Sequence, residues 1–265
     1  MFIPAEHTGR ITAGIGAYDG PLAIAEIAGR DSVAAAVAAV RERGFATLLP
    51  VSVATSTEFG DESAPERAAE HLRDLLEGTA HVLPHVRLGA PRLWAALNGR
   101  FAGVVADRFG LFSPCLACHL SLHLARVPLA RALGGVAVIS GERDTHDGRL
   151  KLSQTTQGID ASARVLARGG VELLEPIRHI RDAARIEALV GPSWTADGRQ
   201  LCCVHSGNYL DLDGQPSYDE LAYMRYLHAF LEPAGSAIID AWIAGAAEPD
   251  YEEIVGGVLD GPGAA

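Results

Sequence analysis

The chain has 265 residues, 48% of them hydrophobic, which is enough for a sizeable core in one large α/β unit or a unit with an appendage. A net charge of −11 sets the average surface against phosphate backbones, so nucleic acid would need a local basic patch that the sequence does not display. No apolar run reaches the roughly 20 residues of a spanning helix, and "MFIPAEHTGR" lacks the basic start and apolar centre of a secretory signal, so the expected location is the cytoplasm.

In chain order, "PLAIAEI" reads as a continuous apolar strand, followed at once by a helix over residues 32–43 with Val33, Val37 and Val40 on one face. "FATLLPVSVAT" is a second strand. The charged loop "STEFGDESAPE" leads into a helix over residues 66–76, with Pro65 suited to its first turn. "HVLPHVRLG" is a weaker strand because Pro84 cannot donate to a ladder. A helical stretch covers residues 91–109, and "PCLACHLSLHLARVPLARALG" reads as a helix bent or restarted at Pro128. "GVAVIS" is a strand that empties into the polar loop "GERDTHDGRLK". A helix over residues 157–168, the strand "VELL" and a helix in "RDAARIEALVG" complete the alternation. This rhythm predicts crossover connections and a doubly wound, mainly parallel sheet with helices on both faces, its ligands gathering at the carboxyl ends of the strands. From about Leu201 the rhythm breaks, and "CCVHSGNYLDLDG" plus one or two helices form a short C-terminal helical segment ending in the frayed tail "EEIVGGVLDGPGAA".

The corner "AGRDS" turns the first strand into a helix whose leading amides have no internal partners. Those N–H groups and the helix dipole attract an anion, and Gly29 lets the backbone come close to it. Ser32 adds a hydroxyl, and Asp31 can cap the helix or hold a magnesium ion that accompanies phosphate. An ordinary capped turn has the same appearance.

The four cysteines fall as Cys115, Cys118, Cys202 and Cys203. In a reducing compartment that clustering reads as metal ligation or redox work before structural disulfides. Cys115, Cys118, His119, His123 and Arg126 share one side of a helix, leaving Leu116, Leu120, Leu124 and Leu129 for the core. Two histidines and an arginine are costly to bury without partners, so that face should look into a cavity or toward a ligand. Cys202 or Cys203 supplies a third sulfur, since adjacent residues of an extended segment point opposite ways. A cluster of iron and sulfur, a zinc site using His119 or His205, and plain buried thiols all remain open. His205 could act as an acid or base or be purely structural.

The strand–"AGRDS"–helix unit resembles the pyrophosphate loop of the PP-loop ATP pyrophosphatases, whose fold is adenine nucleotide alpha hydrolase-like. Gly29, Asp31 and Ser32 match that family's S-G-G-x-D-S pattern, while Ile27 and Ala28 replace its first serine and glycine. The two-spaced cysteine pair with a distant third resembles the iron–sulfur-dependent sulfurtransferase branch. The likeness spans about residues 22–208 and implies a nucleotide-binding domain over residues 1–200, followed by a segment over 201–265 that carries the third cysteine. It implies ATP with Mg2+, bound by Gly29, Arg30, Asp31, Ser32, Ser52, Ser140 and Gly141, with Thr55 beside Ser52 at the adenine-contacting strand end. It implies catalytic roles for Asp31, Arg143 and Lys151, with Arg178 as a weaker cation and Glu142, Asp144 and Asp147 as magnesium candidates. It also implies a [4Fe-4S] cluster on Cys115, Cys118 and Cys203, with Cys202 as the alternative ligand and Zn2+ as the alternative metal.

The activity implied is adenylation of a substrate with loss of pyrophosphate, then sulfur transfer to it. A small molecule is the expected substrate, because the chain lacks the basic surface or RNA module that tRNA-thiolating relatives carry. Sulfide or a persulfide protein is the expected donor, and a homodimer stays open. The alternatives are an amidating ligase with zinc, a tRNA thiolation enzyme, and a regulatory protein that binds adenine nucleotide without turning it over.

Overall fold

In a computed structural model that describes Ile11, Ile15 and residues 20–55, 57–145, 149–194 and 200–261, strand β1 (Leu22–Glu26) lies at the centre of a parallel sheet. It pairs with β2 (Thr47–Ala54) on one side and β6 (Ala137–Ile139) on the other. β2 also carries β4 (His81–Val82) and β5 (Val86–Gly89), and β6 carries β7 (Leu173–Leu174), all in parallel. The chain thus builds outward from β1 to one edge and then resumes on its other flank. Such a reversal opens a crevice beyond the carboxyl ends of β1 and β6. The doubly wound α/β architecture expected from the sequence is the one observed.

Helices cover both faces. On one face α1 (Arg30–Arg43), α2 (Ala64–Leu75) and α7 (Ala183–Val190) share a core with Ala23, Ala25 and Ile27. On the other, α3 (Pro91–Asn98), α4 (Ala102–Phe109), α5 (Pro114–Ala132) and α6 (Thr156–Arg168) share a core with Ile24 and Val51. The two-residue period of β1 therefore sends Glu26 to the same face as Ile24, toward α5. Small side chains at Ala23 and Ala25 let the alanine-rich α1 lie close to the sheet, so all of residues 32–40 are buried and not just the expected valine face.

Several local expectations are corrected. Pro84 splits the weak strand into β4 and β5, both on β2. The helical stretch over residues 91–109 is two helices, α3 and α4, separated at residues 99–101. Helix α5 runs unbroken through Pro128, because its other turns keep their hydrogen bonds and only the one to Leu124 is forfeited. The C-terminal region holds α8 (Glu220–Tyr226), a π-type turn over Leu227–Leu231, α9 (Glu232–Ile243) and α10 (Tyr251–Asp260). The supposed frayed tail is mostly α10: Asp250 caps it by accepting from the amides of Glu252 and Glu253, while Tyr251, Val255 and Leu259 are buried. Tyr226, Phe230 and Ile238 pack into the same core as Leu120 and Val165, which ties these helices to the sheet domain. Among the described residues no helix is long and apolar enough to cross a membrane.

One small element carries the site. β3 (Glu58–Phe59) pairs antiparallel with β8 (Cys202–Cys203), Glu58 facing Cys203 and Phe59 facing Cys202. This two-residue ribbon returns the late cysteines to the carboxyl edge of the main sheet.

Candidate functional site

A cavity of about 1270 Å³ opens at that edge, and both the corner after β1 and all four cysteines line it. Its first wall is the corner. Ser32 Oγ accepts from the amides of Ala28 (2.9 Å) and Gly29 (3.0 Å) and donates to the Gly29 carbonyl (2.8 Å). The serine thus closes the turn on itself, and two amides expected to be free for an anion already have a partner. Gly141, after β6, presses on this turn so tightly that a Cβ there would lie 2.5 Å from Ser32 N. Over Gly29 lies the side chain of Gln200, 2.7 Å from where a Cβ would be. Asp31 receives Arg143 Nε at 3.0 Å and Arg30 Nε at 3.2 Å.

That geometry corrects the reading of Arg143. Its guanidinium is 1% exposed, bound to Asp31 and to the carbonyl of Ile180 (3.1 Å), and does not line the cavity. It anchors Asp31 from behind. Lys151 does line the cavity. Burial lowers its pKa first and Arg143 and Arg30 add to that, while Asp31 and Glu142 act in the opposite sense. Ser52 and Ser140 are buried in the sheet and away from the cavity, because their hydroxyls serve His85 Nε2 (2.9 Å) and the Glu142 amide (3.4 Å). Thr55 and Thr57, whose hydroxyls are 2.8 Å apart, line it instead of Ser52. Arg178 and Asp144 bind each other at 2.9 Å, away from the cavity; Asp147 lies outside the described residues.

The opposite wall is made of sulfur. All four cysteines are free thiols. Cys115 Sγ donates to the His205 carbonyl (3.4 Å) and Asn208 Oδ1 (3.3 Å), and Trp94 Nε1 donates to Cys118 Sγ (3.3 Å). Cys203 Sγ reaches Thr57 Oγ1 at 3.8 Å. Burial first, and the proximity of Cys203 in the same sense, push the Cys115 thiol up to about 11 and Cys118 up to about 12. Cys115, Cys118 and Cys203 therefore feel one another electrostatically, whereas Cys202, which also lines the cavity, is exposed. Among the described residues no three His, Cys, Asp or Glu side chains meet at the spacing of a single-ion site.

Between the two walls lies a buried charged cluster. Glu142 Oε1 bridges His119 Nδ1 (2.7 Å) and His123 Nε2 (3.1 Å). Burial opposes charge on Glu142 and on His123, but each favours the other's charge strongly enough that Glu142 is held far below the usual carboxylate range and His123 is raised. Arg126, fully buried, donates to the carbonyls of Leu122 (2.7 Å) and Val51 (3.3 Å). The polar stripe of α5 thus finds partners and a cavity, as the cost of burying it required. Sequence reasoning missed Glu26, Glu58, Trp94 and Gln200. Glu26 left a signal: it is the one charged residue within "PLAIAEI", and burying it needs a reason.

No family model matches the chain. It is 37% identical over 226 residues to a protein of Methanocaldococcus jannaschii described as uncharacterized protein MJ0009, a match covering 82% of this chain and 79% of that one. Among solved structures, a 4-thiouridine synthetase–RNA complex with bound ATP aligns at a TM-score of 0.43 with 16% identity. That alignment covers 90% of this chain but 53% of the other, so the chain spans about half that protein's length. A likeness at this score carries no argument about the site.

Proposed function

The chain belongs to the same family as the uncharacterized Methanocaldococcus jannaschii protein MJ0009, and for the cavity described above we propose a PP-loop-type, ATP-dependent enzyme that adenylates a small molecule and then transfers sulfur to it. One observation carries the reading: the "AGRDS" corner and the sulfurs of Cys115, Cys118 and Cys203 line the same cavity.

In this reading the N-terminal end of α1 holds the phosphates of ATP, with Lys151 as the cation on the cavity side. Arg143 fixes Asp31, and Asp31 is the carboxylate available to a magnesium ion. The substrate's oxygen attacks the α-phosphorus and pyrophosphate leaves. A sulfur nucleophile then displaces AMP from the carbon, a step that needs the adenylate because a bare carbonyl oxygen is a poor leaving group. The donor set suits an iron–sulfur group: three free thiols, brought from two distant segments, line one cavity. Cys115, Cys118 and Cys203 would hold a [4Fe-4S] cluster, which supplies an iron without a protein ligand for handling sulfur. The His119, His123 and Glu142 bridge stands between this wall and the corner.

The test is anaerobic purification with iron, sulfide and zinc analysis, followed by pyrophosphate release assays with ATP. About four irons per chain supports the reading. Zinc without iron moves the assignment to an amidating ligase, with ammonia in place of sulfur. One observation favours a second reading, nucleotide binding without turnover: Ser32 and Gln200 already cover the amide and face of Gly29. ATP binding with no pyrophosphate release across candidate substrates would select it.

A further inference from the structure

The thiol wall has one hydrogen bond that the sulfur-transfer scheme does not use. Trp94 Nε1 donates to Cys118 Sγ at 3.3 Å, and of the sulfur contacts among the described residues it is the only one that comes from a nitrogen donor. The other two thiols face oxygen: Cys115 donates to the His205 carbonyl and to Asn208 Oδ1, and Cys203 lies 3.8 Å from the Thr57 hydroxyl. The direction of approach matters as well. Cys118 lines the cavity and Trp94 does not, so the indole reaches the sulfur from behind and leaves its cavity side open. Helix α3 holds the indole in place: the Trp94 amide donates to the Ala90 carbonyl (2.9 Å), Asn98 Nδ2 donates to the Trp94 carbonyl (3.2 Å), and Leu93 and Leu97 are buried in the core shared with α5.

An indole N–H can only donate, and a neutral thiol is a weak acceptor, so in the metal-free protein this pair gains little. A thiolate is different: a hydrogen bond to an ionised acceptor is roughly twice as strong as a neutral one, and a sulfur bound to metal is a thiolate. We propose that Trp94 is a positioning residue of the metal-loaded thiol wall, donating its indole N–H to the Cys118 sulfur so as to fix that ligand and set the reduction potential of the iron–sulfur group it holds. The inference rests on the iron–sulfur reading above and deepens it. Reduction adds negative charge that spreads onto the sulfurs, and an N–H aimed at one of them stabilises the reduced state more than the oxidised one. Trp94 therefore raises the potential. Standing outside the cavity, it acts through Cys118 alone.

The test uses the full-length protein in two measurements. In the first, anaerobically purified protein carrying iron is titrated with dithionite in the presence of redox dyes. Wild type is compared with Trp94→Phe and with a variant bearing benzothienylalanine at position 94, which keeps the shape of the indole and puts sulfur in place of its N–H. Both variants should keep wild-type iron content and melting temperature. In both, the reduction equilibrium should become about tenfold less favourable, a fall of about 59 mV in midpoint potential for one electron. An unchanged potential in both, or a fall in Trp94→Phe that the benzothienyl variant does not share, overturns the assignment, because the second variant separates hydrogen bonding from packing. In the other measurement, metal-free wild type with isotope-labelled indole nitrogens is titrated with cadmium ion alone and followed by NMR. The Trp94 indole proton, identified by its loss in Trp94→Phe, should move downfield as the Cys118 thiol becomes a metal-bound thiolate, while that of the buried Trp242 stays in place. A Trp94 signal that ignores bound cadmium overturns the assignment. Wild type without iron, but with the cadmium response intact, defeats the iron–sulfur reading and leaves Trp94 standing as the donor to a metal-bound sulfur. Protein that takes up neither iron nor cadmium overturns both.

Discussion

The two walls of the cavity are built by opposite means. The corner after β1 is contiguous: Ala28, Gly29 and Ser32 close it with three hydrogen bonds, and Asp31 is braced by Arg30 and Arg143. The thiol wall is assembled from α5 and β8: a ribbon of two residues on each side ties β8 to β3, and long sulfur contacts of 3.3 to 3.8 Å tie Cys115 to His205 and Asn208 and Cys203 to Thr57. A wall closed by its own neighbours is rigid before any ligand arrives. A wall of desolvated thiols from distant segments has little to hold it without a cation, so ligand binding there should contribute order as well as chemistry.

The largest expected effect strikes the group that joins the walls. Glu142→Ala leaves buried His123 without its closest counter-charge, and denaturant titration should record a loss of about 3 to 5 kcal/mol. Its pH dependence is defined. Glu142, with a depressed folded pKa, contributes stability that is present above about pH 4.5 and lost as pH falls through the folded value. His123, with a raised folded pKa, contributes stability that is complete below about pH 6.5 and lost as pH rises through its folded value. The difference between wild type and variant should therefore peak between about pH 4.5 and 6.5 and shrink on both sides. A difference independent of pH would refute the ion-pair account.

Next comes the corner. Gly141→Ala drives a Cβ into the backbone of Asp31 and Ser32, which cannot move without reshaping the turn. We expect a loss of about 1 to 3 kcal/mol and loss of ATP-analogue binding in calorimetry, with the metal content of the thiol wall preserved. If ATP binds normally, the corner is not the phosphate site.

Replacing the cysteines singly by serine probes the other wall. In the metal-free protein Cys202→Ser should alter stability by about 0.5 kcal/mol or less, and the desolvated Cys118→Ser by about 1 kcal/mol or more. In anaerobic preparations Cys115→Ser, Cys118→Ser and Cys203→Ser should lose bound iron, while Cys202→Ser retains it. The reverse outcome for the last two would exchange their roles. The smallest effect is kinetic: in metal-free protein at pH 8 iodoacetamide should modify the exposed Cys202 well before Cys115 and Cys118. Rates at the latter pair should climb toward their pKa values of about 11 and about 12. Equal rates at pH 8 would mean that the wall is open to water.

The same contrast explains what could be read in advance. Strand and helix periods, Gly29 with Asp31 and Ser32 at a strand-to-helix turn, and the polar stripe of α5 are repeats over neighbouring residues, so the order of letters exposes them. Even there the letters misled on partners. Ser32 looks like a phosphate ligand until its hydroxyl is seen to bind the two amides before it, and Arg143 looks like a loop cation until Asp31 and Ile180 are seen to bury it. The frayed tail was misread because capping by Asp250 and burial of Tyr251 depend on what α10 packs against.

By itself, then, the sequence determined a parallel α/β sheet, the corner after its first strand, and a helix with one face too polar to be buried alone. Those features rest on backbone periods and on desolvation costs that each segment carries wherever it lies. Tertiary structure alone decided that Cys203 lies within electrostatic range of the α5 thiols, that Glu142 bridges two histidines, and that Glu26 lies beside buried His123 at the cavity. Each of these depends on which strand lies beside which and in what register. That is fixed by summed packing over the sheet, and a shift of one residue would turn every such side chain to the other face.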